Sequence, residues 1–308
     1  MTYTNQRLAY GNTLVALGKE NDRIVVLDAD LAASTMGKLF EAAFPERHFE
    51  MGIAEANMTS TAAGLAQMGF IPFTNSFAVF AAGRSYDQIR QTIAIGCLNV
   101  KICGSSAGLS DFGDGSTHQA VEDIAIMRAI PNMTVVCPAD AIETEKITRA
   151  IASVQGPCYI RICRNDMENI TSEDDPFVLG KPSLLKDGSD YVIFATGVMC
   201  SVALKAAESI KNHSVRVVNV STIKPLDRAA VIEFARDMKG VVCAEEHSII
   251  GGLGSAIAEA LRRECKPIEF VGIEDKFGCS GHNYPELLAH YGLTEEHIIE
   301  AIESFERI

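Results

Sequence analysis

The sequence predicts an α/β protein of two domains, each a mostly parallel sheet with helices on both faces. Three observations carry that prediction. Short β-rich runs alternate with helical stretches along the chain. The runs are apolar through their length rather than on alternate residues, as in sheets covered on both faces. The alternation breaks once, around 165–190, where acidic residues, Pro and Gly crowd together. A length of 308 residues suits two domains, each large enough to bury a core.

The first domain, residues 1–166, is expected to open with a helix near 5–20. Strands follow at 23–28, about 70–74, 99–104, 133–137 and 158–163, each a short apolar run. Between them, helices are expected at about 54–68, 79–97, 119–129 and 140–155. Residues 167–189 read as a surface linker, with Ser172-Glu-Asp-Asp-Pro176 and Lys186-Asp-Gly188 as breakers. In the second domain, residues 190–308, alternation resumes with strands at 191–196, 215–220, 240–244 and 268–272. Helices reach to about 211 and span 227–238. Such sheets bind ligands at the carboxyl ends of their strands, which locates a site without naming a function.

Composition excludes several function classes. With 27 Lys and Arg against 40 Asp and Glu, the net charge of −13 gives no reason to seek nucleic acid or anionic lipid. An anionic ligand must be held by a local basic cluster. The nine cysteines are odd in number, sit mostly in apolar stretches and form no CxxC pair. A reduced cytoplasmic protein with core thiols is expected, and the polar first residues show no signal peptide. Residues 56–83 carry no charge and could cross a bilayer by length, but Asn57, Gln67, Pro72 and Asn75 interrupt them. They read as a buried helix and strand, and no membrane partner is expected.

Several motifs carry chemistry, each with a competing structural reading. Glu55, in Glu50-Met-Gly-Ile-Ala-Glu-Ala-Asn-Met58, stands at a helix start and at the lip of the uncharged run. It is either an acid favoured by the helix dipole or a carboxyl pressed against apolar walls, able to stay protonated and donate a hydrogen bond. Asp114 and His118 lie four residues apart on a Gly-bearing loop before a helix, as a ligand-facing pair or with Asp114 or Thr117 as a cap. Phe77 and Phe80 fit core or cofactor contact. Arg161 suits a structural ion pair, while Arg164, at a strand's carboxyl end, suits a ligand. Gly251-Gly-Leu-Gly-Ser-Ala256 is similar to a dinucleotide loop, but it follows no strand directly and lacks a complete GxGxxG, so a tight turn opening a helix is the favoured reading. Gly113-Asp-Gly115 lacks the later Asn pair of a metal-diphosphate motif, so no metal is assigned to this chain.

Taken together, the segments Ala29-Asp-Leu-Ala-Ala-Ser34, Gly52-Ile-Ala-Glu-Ala-Asn-Met58, Ser76-Phe-Ala-Val-Phe80, Asp114-Gly-Ser-Thr-His-Gln119, Ile162-Cys-Arg164 and Glu245-Glu-His-Ser-Ile-Ile-Gly-Gly-Leu-Gly254 resemble the C-terminal half of transketolase. The likeness covers the whole chain and is specific to the short subunit of two-chain transketolases. It implies a pyrimidine-binding domain followed by the transketolase C-terminal domain. It also implies thiamine diphosphate as cofactor, with Mg²⁺ or Ca²⁺ bound by a partner: the N-terminal subunit that carries the diphosphate-binding domain. A heterotetramer with a homodimeric core is the implied assembly.

By position, the resemblance implies that Glu55 hydrogen-bonds N1′ of the aminopyrimidine and that Phe80, with Phe77 beside it, walls the pyrimidine pocket. Asp30 and Leu31 would touch the cofactor across the interface, and Asp114 and His118 would read substrate hydroxyls. Arg7, Ser34 and Arg164 would clamp the sugar phosphate. Three departures stand out: Ala56 after the glutamate, Gly113 where two-chain relatives carry Glu, and Ser106 in the region where a His helps bind phosphate. An anionic acyclic-sugar terminus is still expected, with a branched or sulfonated ketose open beside the usual sugar phosphates. Two rivals remain: the β subunit of a 2-oxo-acid dehydrogenase decarboxylase, and a non-catalytic subunit of the same fold. The Asp114…His118 pair, the arginine set and Glu245-Glu-His247 favour transketolase over the first. Retention of Glu55, Phe80 and His118 argues against the second.

Overall fold

The computed structural model describes residues 3–307. It contains the two expected α/β domains. In the first, a seven-stranded sheet runs in spatial order Thr222–Lys224, Thr134–Val136, Cys158–Arg161, Lys101–Ser105, Ile71–Phe77, Ile24–Asp28 and His48–Glu50. Every neighbouring pair is parallel except the first. The second sheet runs Ile268–Ile273, Gly240–Ser248, Tyr191–Ala195, Val215–Asn219 and Ser183–Lys186, with only the last strand antiparallel. Its central strand and Ile24–Asp28 in the first sheet are buried at every residue, as continuous apolar runs require of strands covered on both faces.

The helices start where side chains can satisfy their free N–H groups. Asn5 accepts from Arg7 and Leu8 at the head of Gln6–Glu20, and Asp140 accepts from Glu143 at the head of Ala141–Ser153. These two helices pack on each other against one face of the first sheet. Helix Glu55–Gln67 covers the other face through Met58, Ala62 and Ala63. The glycine run after 250 opens helix Leu253–Leu261, whose first N–H groups donate to the buried Glu245 carboxylate. Among the described residues no helix is long and apolar enough to cross a membrane.

Some expectations need correction. Residues 167–189 are not a plain linker: Asp166–Glu168 pairs antiparallel with Tyr3–Asn5, and Ser183–Lys186 is an edge strand of the second sheet. Thr222–Lys224, in the second half of the chain, adds an edge to the first sheet. These strands have three or four residues, too short to show a period. The helix expected at 79–97 is broken into Ala78–Gly83, Tyr86–Gln88 and a wide-turn segment, Ile89–Ala94. The one expected at 119–129 begins only at Asp123, because Ala120 is drawn into a bridge with Gly108. Both breaks lie beside the candidate site.

Candidate active site

An open cleft of about 330 Å³ lies at the carboxyl ends of Ile24–Asp28 and Ile71–Phe77. That is where parallel sheets present ligands. Asp30, Leu31, Glu55, Phe80 and His118 line it, joined by Arg84, which sequence reasoning did not single out. Helix Glu55–Gln67 begins at Glu55 and places its carboxyl in the cleft with the residue only 3% exposed. The walls around it are not purely apolar, contrary to expectation. Arg84 Nη1 approaches Glu55 Oε2 at 3.3 Å, while its side chain stays 53% exposed and its guanidinium lies 4.5 Å over the Phe80 ring. The break after Gly83 sets that geometry. A signal existed in the sequence: the uncharged run is bounded by Glu55 at one end and Arg84 at the other.

The aromatic residues form a stack rather than plain core. Phe77 and Phe80 are nearly parallel with ring centroids 6.2 Å apart, and the His118 imidazole stands edge-on to Phe80 at 5.3 Å. Phe77 is buried behind Phe80 and does not line the cleft. The turn Gly115–Thr117 delivers His118, whose Nδ1 lies 2.9 Å from the Thr117 hydroxyl. Asp114 is exposed at the start of that turn, outside the cleft lining, and makes no side-chain cap. The structure does not bring Asp114 and His118 together in the cleft.

Asp30 adopts a left-handed conformation, φ 60°, unusual for a residue other than glycine. Its N–H donates to Glu50 Oε1 at 2.7 Å. Beneath it lies a polar network invisible to pattern reading. Asp28, fully buried, accepts from Thr35 at 2.7 Å and Asn75 at 3.2 Å, and lies 3.0 Å from His48 Nε2. Burial alone would lower the His48 pKa, but the Asp28 carboxylate outweighs it and the net shift is upward. A Cβ at Gly37 would overlap the Asp28 carboxylate, so only glycine fits there. The network fixes the strand end that carries Asp30 and Leu31 into the cleft.

Arg7, Ser34 and Arg164 lie to one side of the cleft. Arg7 Nη1 donates to the Ser34 carbonyl at 2.9 Å, and among the described residues its buried Nε has no partner. Burial, then the nearby Arg164 charge, lowers the Arg7 pKa below its ordinary value. Two like charges held close without a full set of acceptors favour an anion between them. Arg164 pairs with Asp111 at 3.0 Å, remains 35% exposed, and lies 5.7 Å over Phe77. Asp111 was not read from the sequence, because its role depends on a partner more than fifty residues away. The site is therefore one strip: Glu55 and Arg84, Phe80 and His118, Phe77, then Arg164 and Arg7. Among the described residues no group of three His, Cys, Asp or Glu side chains converges as metal ligands would.

Comparison with known proteins adds to this geometry. Residues 3–169 match the family model for the pyrimidine binding domain of transketolase, and residues 180–298 match its C-terminal domain. A putative transketolase C-terminal section from Methanocaldococcus jannaschii is 46% identical over 97% of this chain and 96% of its own. A 6-deoxy-6-sulfo-D-fructose transketolase subunit from a Clostridium species is 45% identical over 96% of this chain and 92% of its own. A solved structure described as a split gene transketolase, inactive beta4 tetramer, superimposes with TM-score 0.89 at 46% identity, covering 98% of both chains.

Proposed function

We propose a reaction from the premise that this chain belongs to the transketolase family, whose two domain models match most of its length. The chain acts as the C-terminal subunit of a two-chain, thiamine-diphosphate-dependent transketolase, moving a two-carbon ketol unit from a ketose to an aldose. The observation that carries this reading is the strip from Glu55 to Arg7. An acid beside an aromatic face lies at one end, and a partly unsatisfied arginine pair lies at the other.

The cleft suits a flat heteroaromatic ring with a nitrogen turned toward Glu55. When bound, thiamine diphosphate supplies the nucleophilic carbon that carries the two-carbon unit. Glu55 holds and returns a proton at N1′ of the pyrimidine, and Phe80, backed by Phe77, packs on the ring. Asp30 and Leu31 bound the cleft opposite. His118, steadied by Thr117, holds or moves a proton at the substrate hydroxyl nearest the reacting carbonyl. Arg7 and Arg164 receive the terminal anion of the acyclic sugar, beside Ser34. Asp114 meets substrate only if the exposed turn that carries it closes over the strip.

The diphosphate and its Mg²⁺ or Ca²⁺ need ligands from elsewhere, and we assign them to an N-terminal transketolase subunit. The related chain described as an inactive beta4 tetramer supports a requirement for that partner, in a heterotetramer with a homodimeric core. Cysteine usage fits the reducing cytoplasm. Phosphate and sulfonate both satisfy the arginine pair. Two relatives support unusual ketoses as substrates: the 45% identical chain of a sulfo-sugar transketolase, and a 34% identical chain of an apulose-4-phosphate transketolase.

The test is co-expression with an N-terminal transketolase subunit, followed by a screen of phosphorylated and sulfonated ketoses against aldoses with thiamine diphosphate and Mg²⁺. Two-carbon transfer by the complex and none by the single chain is expected. Turnover by the single chain overturns partner dependence, and an assembled complex inert toward every pair overturns the reaction.

A further inference from the structure

We propose that Gln119 is a positioning residue through which the second domain holds the substrate loop, residues 111–119, in its working shape. The proposal rests on the reading above for what the loop does. What holds the loop is visible in the structure itself. The loop carries Asp111 at one end, paired with Arg164, and His118 at the other, packed on Phe77 and Phe80. Between them Gly115 N–H donates to the Asp111 carbonyl at 3.3 Å, and its own carbonyl accepts from His118 at 2.9 Å.

Gln119 closes this loop from within and fastens it from without. Its amide donates to the Asp111 carbonyl at 3.1 Å and to the Cys279 carbonyl, in the second domain, at 3.0 Å. One planar amide thus spans both ends of the loop and a turn 160 residues away. Gly281 N–H donates to the Phe112 carbonyl at 2.9 Å, and Tyr291 holds the Phe277 carbonyl at 2.8 Å, so the turn 277–281 is itself anchored.

The approach leaves no room for side chains. A Cβ at Gly278 would overlap Gln119 Oε1, and one at Gly115, where φ is +74°, would overlap the Ser280 hydroxyl. Phe112 and Cys279 pack on the second domain's core. The loop's footing is therefore in one domain and its chemistry in the other. Loss of the Gln119 amide releases Asp111 and His118 together. Arg164 then loses its directed partner, and His118 loses the turn that presents it.

Two readouts decide the matter. In the purified chain, hydrogen exchange of residues 111–118 should speed up about tenfold in Gln119→Leu and in Gln119→Asn, which is one methylene too short to span both carbonyls. Strand Tyr191–Ala195 should keep its protection. In the assembled complex, KM for an anionic ketose should rise about tenfold, and the rise should shrink to less than about twofold when Arg164 is already Ala. Lys205→Ala, which removes the ion pair between Lys205 and Glu168 elsewhere between the domains, should do neither. Unchanged exchange in both variants overturns the proposal, as does a KM effect that multiplies fully with that of Arg164→Ala. If the parental complex turns over no ketose, the functional reading fails, and exchange still decides what Gln119 does.

Discussion

Arg161 and Arg164 lie three residues apart at the end of one strand and have opposite circumstances. Arg161 is buried, its Nε donating to Asp123 at 3.0 Å and its Nη2 to the carbonyls of Ala120 and Glu246. Glu246 adds a second carboxylate 3.7 Å from Nη1. Arg164 has one carboxylate partner, partial exposure and a neighbouring arginine. A guanidinium with its donors consumed has nothing left for a ligand, whereas one with free donors beside a like charge is poised for an anion. A related contrast separates the acids: Glu246 is locked between domains by Leu109 N–H and the buried Arg161, while Glu55, paired with the half-exposed Arg84, faces an open cleft. The surroundings of the partner, more than residue type, separate Arg161 and Glu246 from Arg164 and Glu55.

The largest effect should come from the acid that faces the cleft. Glu55→Gln is expected to lower kcat of the complex about 10²–10⁴-fold, with fold and assembly intact. Exchange of the cofactor's C2 proton, followed by NMR, isolates the step; a Gln variant that exchanges at the parental rate would make Glu55 another structural acid and break the contrast. Arg161→Met should act on folding instead. It leaves Asp123 and Glu246 buried without their counter-ion, at a cost of about 3–5 kcal/mol in denaturant unfolding. A loss under about 1 kcal/mol would mean the saturated network is dispensable.

Arg164→Ala tests the unsaturated side. On the proposed reading, KM for an anionic ketose should rise about ten- to a hundredfold while kcat and thermal stability change little, because Arg164 would hold the end of the sugar remote from the reacting carbons. An unchanged KM for every anion would place Arg164 with Arg161. The smallest effect concerns pH. Burial, only partly offset by Arg161, pushes the Glu246 pKa up to about 7 from its ordinary 4.5. Between those values the folded chain keeps a proton that the unfolded chain has lost. The stability Glu246 contributes is thus full below pH 4.5 and drains away as pH rises to about 7. Against Glu246→Gln, the parent's relative stability should fall across that window in paired denaturant titrations. A pH-independent difference would show that Glu246 is charged throughout that window.

The alternation of apolar runs and helices carried the two-domain α/β architecture in the sequence, since burial on both faces leaves a composition as well as a shape. Strands of three or four residues, such as His48–Glu50 and Thr222–Lys224, left no such trace. Their pairing is decided by neighbours distant in the chain. The family, too, was legible, because the order and spacing of motifs survive without coordinates. Of the candidate site, the residues that stand inside motifs could be named. Arg84, Asp111 and the Asp28–His48 pair could not, because each matters through a contact 20 to 53 residues away.

What the sequence determined by itself is therefore the material: two parallel-sheet domains, an acid at the edge of an uncharged run, aromatics after a strand, and arginines at a strand's carboxyl end. Only the tertiary structure decided which partners those charges meet. It set Arg84 against Glu55, kept Asp114 out of the cleft, and gave the ion pair expected at Arg161 its partners Asp123 and Glu246 and Arg164 its partner Asp111. The reason is physical. Local pattern reports burial and backbone preference, which act residue by residue. The satisfaction of a hydrogen-bonding group depends on every donor and acceptor that folding brings within about 3 Å of it.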